Sequence, residues 1–436
     1  MSRVSEKGKI APKGIVIICN LDTRGKEILF VKDLIAGRGH RPILVDFSME
    51  ALPPVAGDVT CDEVALRGGL PIATVRDYYR SNRDAATKNQ IRGATAIIGD
   101  LVKAGKVHGI IGIGGATSSL VSTSVMKQLP FGMPKLMASP MAAHPAYIDK
   151  YVGTRDITMH HTVLDVVKMN PLLKAQITNA VGAICGMVEM TEGTDFHFDQ
   201  PLVAISSFGF GEMTVQAAVG MLEAAGFIPV VFGAQGRGDR AMEEMIRDGA
   251  FQGVLDLCIG GVIENLFQGN RDPGPDRLMG AVRRGIPAVL APCGLDILSY
   301  GGQEGRLAAT RDRPRFVMDA LRVQVRTTVE ELFQAADAIA ERLNQSKGPF
   351  TFLVPLRGWS SADREGQQIY DPAADAAFVK RLKEQIADKS AIKELDLHFY
   401  TPEFARAAVD EFVRLFHTAK SATPTRKLRR VFSSPS

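Results

Sequence analysis

The chain has 436 residues, too many for one ordinary hydrophobic core, so its length predicts two or three domains. Hydrophobic residues make up 45% and charged residues 23%, the balance of an average globular protein, which argues against pervasive disorder. The net charge of +4 is spread along the sequence apart from a basic run at 426–430. We therefore expect no nucleic-acid partner.

Membrane association and secretion are not expected either. No apolar run reaches the roughly 18 residues that span a bilayer, and the first ten residues lack an apolar signal segment. The five cysteines are odd in number and lack CxxC spacing. That pattern is typical of reduced thiols and predicts a cytoplasmic location.

Short apolar, β-branched runs alternate with helical patterns along the first part of the chain. We expect strands at 15–19, 42–46, 107–113 and 134–138, and helices at 27–38, 84–103, from 117, and at 171–190. Alternating strands and helices predict a parallel sheet covered on both faces. In the last helix Gly182 and Gly186 lie four residues apart. Packing in the core and an interface with another helix both remain open for it.

The composition turns polar at 192–200, and the same rhythm then restarts. Expected strands are 202–206, 229–232, 253–257, 288–290, 351–355 and 393–397; expected helices are 215–225, 240–248, 328–345, 373–387 and 403–417. The fold class is predicted as α/β, with two Rossmann-like domains, each a mainly parallel sheet flanked by helices. We place them at 1–195 and 196–420, followed by a disordered tail at 421–436.

A glycine-rich turn is the most informative motif. An apolar run from His108 to Ile113 leads into glycine and hydroxyl residues, and a helical pattern follows. Strand, glycine turn and helix start is the local arrangement that holds phosphate, because exposed amides and the positive helix end face the ligand. The pattern is neither a Walker motif nor a full GxGxxG. The candidate ligand residues here are Gly114, Gly115, Ala116, Thr117 and Ser118.

Other strand ends are also polar or rich in glycine, and ligands bind beyond the carboxyl ends of strands in open α/β sheets. Asp22, Thr23 and Arg24 follow the first strand, where helix capping is the alternative to ligand contact. Gly236, Arg237 and Gly238 form a second glycine turn, and Gly211 lies in a third. We expect the amides of 114–117 and 236–238 to form one seat for negative charge.

The remaining reactive side chains support no clear chemistry. A loop tryptophan, Trp359, either stacks on a base or covers a core edge. Cys258 and Cys293 lie at strand ends, where a low-pKa nucleophile and a small apolar filler are the two interpretations. The adjacent pair His160 and His161 does not chelate on either a strand or a helix, and no serine-hydrolase elbow precedes a helix.

Several motifs in order resemble a known family. They include Leu-Asp-Thr-Arg-Gly-Lys-Glu at 21–27, the loop 112–117 and Gly-Thr-Arg-Asp-Ile-Thr at 153–158, with shorter matches at 134–137, 240–243, 253–257, 355–358 and 394–396. The chain is similar to the ATP-binding domain of the tomato mosaic virus resistance protein and its uncharacterised bacterial relatives. The resemblance implies two Rossmann-like subdomains, ATP at glycine-rich loops with Mg²⁺, and a homodimer.

A triphosphate needs cations beyond the helix ends, because each helix N-terminus contributes only about 0.3–1 kcal/mol. Arg24, Arg155 and Arg237, with Lys26, are the loop cations available, and Arg155 and Asp156 are also candidate ligand residues. Asp22, Asp156 and Asp256 are the alternative magnesium carboxylates, of which we expect Asp22 and Asp256, since magnesium takes one or two carboxylates beside phosphate oxygens.

Some loops depart from the family pattern. The family has more glycine where this chain reads Ala-Thr-Ser-Ser at 116–119, and a Phe-Gly-Val-Thr-Thr pattern where it reads Phe-Gly-Phe-Gly-Glu at 208–212. Threonines and a glutamate are replaced at 258–261, and a further pattern changes at 292–296. The second-domain loops thereby lose hydroxyl groups and a carboxylate, and Glu212 adds a negative charge.

We expect a cytoplasmic protein that binds ATP with Mg²⁺ in the cleft between its domains. One hypothesis is an ATP-dependent enzyme acting on a small-molecule substrate. Another is a nucleotide-binding module that serves a protein partner, which the missing Walker lysine and the lack of a clear general base favour slightly. The third is a nucleotide-independent enzyme that acts on a phosphorylated or carboxylate metabolite.

Overall fold

The computed structural model describes residues 11–191 and 198–422, which divide into two compact units. Unit 1 contains the residues up to 191, and unit 2 contains the residues from 198 onward. The predicted domain boundary at 195 and 196 lies outside the described residues, as does the predicted tail from 423 onward.

Unit 1 is a parallel sheet with helices on both faces. Its strands are β1 (Gly14–Cys19), β2 (Arg41–Asp46), β3 (Gly109–Ile113), β4 (Lys135–Ser139) and β5 (Thr158–His161). Its helices are α1 (Leu21–Gly37), α2 (Cys61–Gly68), α3 (Ile72–Ser81), α4 (Arg83–Lys103), α5 (Ala116–Met126), α6 (Ile148–Val152) and α7 (Pro171–Met190). The strand order is β2-β1-β3-β4-β5, and every pair is parallel.

The apolar runs of unit 1 explain its layers. Every residue of β1, β3 and β4 is buried, because helices cover both faces of the sheet. Two apolar clusters result: α1 and α7 pack on one face, and α2, α4 and α5 pack on the other. Helix α7 is therefore a core helix, while Cβ atoms built on Gly182 and Gly186 would meet nothing within 4 Å.

Unit 2 repeats this plan with a longer chain. Its strands are β6 (Leu202–Ser207), β7 (Ile228–Gly233), β8 (Gly253–Asp256), β9 (Ala288–Leu290), β10 (Ile297–Ser299), β11 (Arg315–Asp319), β12 (Arg322–Arg326), β13 (Phe350–Pro355) and β14 (Ile392–Leu395). Its helices are α8 (Glu212–Ala224), α9 (Arg237–Arg247), α10 (Gly261–Phe267), α11 (Met279–Arg284), α12 (Glu304–Ala309), α13 (Val329–Leu343), α14 (Pro372–Gln385) and α15 (Pro402–Ala422).

The large sheet of unit 2 has the order β14-β13-β9-β8-β6-β7, with all pairs parallel. Read from its own first strand, this is the order of unit 1 with one strand added. A second, antiparallel sheet of β10, β12 and β11 was not expected from the sequence. The predicted fold class, two Rossmann-like α/β domains with mainly parallel sheets, is confirmed.

Some predicted bounds differ from the structure. Helix α1 begins at Leu21, six residues before the expected start, and is interrupted by non-helical backbone at Arg24. Helices α2 and α3 fill a stretch for which no element was expected. The final helix extends through Ala422, two residues into the predicted tail.

Candidate functional site

The strand order of unit 1 creates one switch point, between β1 and β3, and a ligand is expected there. Strands β2 and β3 lie on opposite sides of β1, so the connections that leave β1 and β3 diverge. In open α/β sheets, ligands bind at such a switch point, beyond the carboxyl ends of the strands. The loops after β1 and β3 are joined there, since the Ser118 hydroxyl donates to Asn20 Oδ1 at 3.1 Å. Two loops predicted separately from the sequence therefore lie next to each other.

The N-terminus of α5 is open at this switch point. Helix α5 begins at Ala116 and has no side-chain cap. Among the described residues, no atom accepts a hydrogen bond from the amides of residues 115–118. A Cβ built on Gly115 would meet nothing within 4 Å, so the space in front of these amides is open. Unpaired amides and the positive helix end together favour an anion.

Gly114 has a different role in the same turn. Its φ of +144° is a conformation that residues with a side chain rarely adopt, and a Cβ there would lie 2.5 Å from Ser118 Oγ. Its amide donates to the carbonyl of Ala138 at 3.1 Å. Gly114 thus forms the turn that exposes the amides after it.

The N-terminus of α1, by contrast, is closed by the end of β2. The amide of Leu21 donates to Asp46 Oδ1 at 3.1 Å, and the amide of Asp22 donates to Ser48 Oγ at 3.1 Å. Burial raises the pKa of Asp46, while hydrogen bonds from Ser48 and the Leu21 amide oppose that shift. Neither Asp46 nor Ser48 was predicted, although a polar residue at the end of an expected strand was the available signal.

The three side chains predicted in the β1 loop have different environments. Asp22 Oδ2 accepts from the amides of Glu50 and Ala51 at 3.0 and 3.3 Å, so it ties down the segment after β2. Thr23 Oγ1 accepts from the Asn20 amide group within the loop. Arg24 lies 3.9 Å from Asp165, and its side chain is 19% exposed. Arg24 and Lys26 are the cations of this segment, and the charge of Arg24 lies beside that of Asp165.

Arg155 and Asp156 lie at the other end of the sheet. They precede β5, whereas the glycine turn follows β3, and the two strands point the same way. Asp156 accepts from the Gly132 amide at 2.7 Å and from Lys135 Nζ at 2.8 Å. The expectation that Arg155 and Asp156 join the glycine turn in one site is therefore corrected, because opposite ends of parallel strands cannot meet.

The predicted glycine turn of unit 2 has internal partners. The amide of Gly236 donates to Asp239 Oδ2 at 2.9 Å, and the amide of Arg237 donates to the Gln235 carbonyl at 3.1 Å. A Cβ on Gly238 would lie 2.0 Å from the carbonyl oxygen of Gly233. These residues follow β7, an edge strand, and not the switch point between β6 and β8. The amides of Gly236 and Arg237 are therefore occupied within the turn, unlike the amides of residues 115–118.

The switch point of unit 2 is filled by side chains. A Cβ on Gly211 would lie 3.0 Å from the Phe399 ring and 3.1 Å from the sulfur atoms of Cys258 and Cys293. Burial, followed by the neighbouring Cys258 thiol, raises the pKa of Cys293 well above its usual range. The low-pKa nucleophile interpretation of Cys293 is therefore wrong. Both cysteines are fully buried, and all five in the chain are free thiols.

Asp256 belongs to a buried ion-pair network at the end of β8. Its two carboxylate oxygens each accept from Arg277 at 2.6 Å, and one also accepts from Ser206 Oγ at 2.6 Å. Arg277 also pairs with Asp239 and Glu243 at 3.0 Å. A metal at Asp256 would have to break this network. Within the described ranges, no three His, Cys, Asp or Glu side chains are grouped so as to hold a metal ion.

The structure also bears on the loop tryptophan and on membrane-spanning segments. Trp359 is 1% exposed and packs edge-on against Phe378 at 5.2 Å, so it covers a core and does not project from the loop. No helix of the described part of the chain is long and apolar enough to cross a membrane.

Family models match both units. Residues 13–193 match the Uncharacterised protein family (UPF0261) N-terminal domain, and residues 200–416 match the C-terminal domain of the same family. The chain belongs to the UPF0261 family. A UPF0261 protein of Clostridium tetani (strain Massachusetts / E88) is 33% identical over 404 residues, which cover 92% of this chain and 99% of the relative.

Other relatives extend the comparison. A UPF0261 protein of Rhizobium meliloti (strain 1021) is 32% identical over 91% of this chain and 98% of its own length. The ToMV resistance protein Tm-1(GCR237) of Solanum lycopersicum is 30% identical over 70% of this chain and 41% of its own length. The resemblance seen in the motifs is thus confirmed. The structure of a Phytolacca americana UGT2 complex aligns over 94% of this chain and 99% of the UGT2 chain, with 11% identity. Its TM-score of 0.20 is too low to indicate a shared fold.

Proposed function

We propose that unit 1 binds a nucleotide, with ATP as the first candidate, and holds its phosphates at the switch point between β1 and β3. The observation that carries this proposal is the set of unpaired amides at residues 115–118 at the start of α5. Arg24, from the adjoining loop, adds positive charge. The choice of ATP over another phosphorylated ligand rests on the resemblance to the ATP-binding domain family.

Magnesium would bind at this site only together with the phosphates, whose oxygens would supply most of its ligands. It needs one or two carboxylates when phosphate oxygens complete its coordination. Asp22 is the carboxylate of the β1 loop; its Oδ2 accepts from the amides of Glu50 and Ala51, and its Oδ1 would hold the metal. Asp256 does not enter the proposal, because Arg277 holds both of its oxygens.

The proposal has two versions, which differ in what nucleotide binding is used for. In the first, the protein is a module whose bound nucleotide sets its state for a protein partner or for a homodimer. In the second, it is an ATP-dependent enzyme that acts on a small molecule. We favour the module, because the glycine turn lacks the lysine of a Walker motif and its polar side chains, Thr117 and Ser118, are hydroxyls.

Isothermal titration calorimetry with ATP, ADP and AMP, each with and without Mg²⁺, tests the proposal. We expect affinity to fall from ATP to AMP, and Mg²⁺ to strengthen ATP binding. Binding without turnover supports the module, whereas ADP release that needs an added metabolite pool supports the enzyme. If none of the three nucleotides binds, the proposal is wrong, and a nucleotide-independent enzyme for a phosphorylated or carboxylate metabolite takes its place. Light scattering on the same samples tests the homodimer.

Gly115→Val is the informative variant. Its side chain would enter the open space before the amides, and its backbone conformation (φ −77°) suits a β-branched residue. We expect at least about a tenfold loss of ATP affinity, since a clash worth about 1.4 kcal/mol changes an equilibrium constant tenfold. The thermal melt of the ligand-free protein should stay nearly unchanged.

Gly112→Val is the matched control for packing. Gly112 is buried in β3, and a Cβ there would lie 2.5 Å from Ser122 Oγ and 2.8 Å from Met137 Sδ. This variant should lower the melting temperature of unit 1. If Gly115→Val lowers it by the same amount, Gly115 serves packing and the anion site loses its support.

A further inference from the structure

A cavity of about 510 Å³ lies in unit 2, between α14 and the carboxyl ends of β13 and β14. Its wall is apolar where the sheet and helix meet, through Val354, Leu356, Trp359 and Val379. The volume lies within the range of small-molecule sites, which runs from roughly 300 to 1,000 Å³. The position also fits, because ligands of α/β sheets bind beyond the carboxyl ends of strands.

The rim of this cavity carries charged side chains of both signs. Lys380, Lys383 and Lys389 line it together with the acidic residues Glu384 and Glu394. Lys383 Nζ pairs with Glu394 at 2.7 Å. Within the described residues, no hydrogen bond or ion pair is formed by the amines of Lys380 and Lys389, and both residues are exposed. Glu384 lies 3.9 Å from the guanidinium group of Arg381, so Lys380 and Lys389 are the charged groups of this lining that have no partner in the described residues.

The floor of the cavity carries a buried acid that does not oppose them. Asp375 lines the cavity and is 7% exposed, and its Oδ1 accepts from Arg326 at 2.5 Å. Burial raises the pKa of Asp375 well above its usual range, and the charge and hydrogen bond of Asp363 raise it further against the attraction of Arg326. The guanidinium group of Arg326 offsets the charge of Asp375, so this acid does not cancel the charges of the two lysines.

We propose that this cavity binds an anionic organic molecule of metabolite size. Its acidic group lies between Lys380 and Lys389, and its apolar body lies against Trp359 and Val379. The residues of this cavity belong to unit 2, whereas those of the proposed nucleotide site belong to unit 1. A carboxylate and a phosphate ligand share this chemistry, and competition distinguishes them.

The single tryptophan of the chain makes the test specific to this site, because Trp359 forms part of the cavity wall. The protein is labelled with 5-fluorotryptophan and titrated with the aromatic anion 8-anilinonaphthalene-1-sulfonate. We expect the single ¹⁹F resonance to shift with saturation. Its neutral analogue, N-phenyl-1-naphthylamine, should bind more weakly. Displacement of the anion by benzoate or by phenyl phosphate then shows which acidic group the site prefers.

Charge reversal supplies the decisive comparison. We expect Lys380→Glu combined with Lys389→Glu to raise the Kd of the sulfonate about tenfold, as the loss of two exposed ion pairs implies. Lys347→Glu is the control, because Lys347 is an exposed lysine of unit 2 outside the cavity lining. An unchanged Kd in the double variant, or equal binding of the neutral analogue, overturns the proposal. The Gly115→Val variant should bind the sulfonate normally, so failure of one proposal does not imply failure of the other.

Discussion

The two units share a strand order but treat its switch point in opposite ways. In unit 1 the helix after the third strand begins with unpaired amides, and Gly115 faces open space. In unit 2 the corresponding region is filled: the Cys258 amide donates to Ser206 Oγ at 2.8 Å, and a Cβ on Gly260 would lie 2.5 Å from the carbonyl oxygen of Gly294. The shared strand order therefore creates a switch point in both units, but the local side chains and backbone leave it open in unit 1 and fill it in unit 2.

The difference extends to the charges. Arg277 of unit 2 is 1% exposed and is surrounded by Asp239, Glu243 and Asp256. Its guanidinium group satisfies carboxylates that unit 2 supplies itself, where a nucleotide site would present cations to an external anion. We infer that this region of unit 2 stabilises its own fold, so the anion site that we propose is confined to the switch point of unit 1.

Replacing the buried arginine should have the largest effect. Arg277→Met leaves buried carboxylates without their partner, and breaking a buried ion pair destabilises by about 3–5 kcal/mol. Urea unfolding followed by the fluorescence of Trp359, which reports on unit 2, measures the loss. Arg283→Met is the control, because Arg283 is an exposed residue that pairs with Asp276 at 3.0 Å and such pairs contribute about 0–1 kcal/mol. Equal unfolding midpoints for both variants would contradict our comparison.

The two glycine turns, which look alike in sequence, should respond differently to alanine. Gly238→Ala places a Cβ 2.0 Å from the Gly233 carbonyl oxygen, and overpacking of this kind costs about 1–3 kcal/mol. Gly115→Ala enters open space and should change the free energy of unfolding by no more than about 0.5 kcal/mol. Differential scanning calorimetry of both variants measures the two values. A large loss for Gly115→Ala would mean that both turns serve packing.

Sequence patterns predicted the parallel sheets because their strands are buried on both faces and read as continuous apolar runs, as in β1 and β3. The antiparallel strands β11 and β12 were missed, since Arg-Phe-Val-Met-Asp and Arg-Val-Gln-Val-Arg mix charged and apolar residues. In the site, the loops after β1 and β3 were found because both follow apolar strands.

Sequence patterns did not predict contacts between residues that are far apart along the chain. Asp46 closes α1 from 25 residues away along the chain, and Arg277 joins Asp239 across 38 residues. Arg155 was assigned to the glycine turn because a resemblance names motifs without saying at which end of a strand they lie. Spacing along the chain therefore located the open turn but did not reveal which other turns were already satisfied.

The smallest predicted effect is a pH dependence of unit 2 that follows from its buried carboxylates. Asp296 is fully buried and accepts from Ser360 Oγ at 2.6 Å. Burial, and then the charge of Asp363, raise the pKa of Asp296 to about 6, against the attraction of Arg326. Because this folded-state pKa exceeds the value of about 3.9 in an unfolded chain, the folded state binds more protons between the two values. Stability therefore falls as the pH rises through 6.

Between pH 5 and pH 7 the change due to Asp296 amounts to about 1 kcal/mol, since one pKa unit corresponds to about 1.4 kcal/mol. Urea unfolding monitored at Trp359 should show a higher midpoint at pH 5 than at pH 7. Asp296→Asn should reduce this difference, because an amide keeps an acceptor for Ser360 and does not ionise. A midpoint that rises from pH 5 to pH 7 in the unsubstituted protein would show that the carboxylates of unit 2 are ionised without penalty. The contrast between the filled switch point of unit 2 and the open switch point of unit 1 would then depend on packing alone, and not on buried charges.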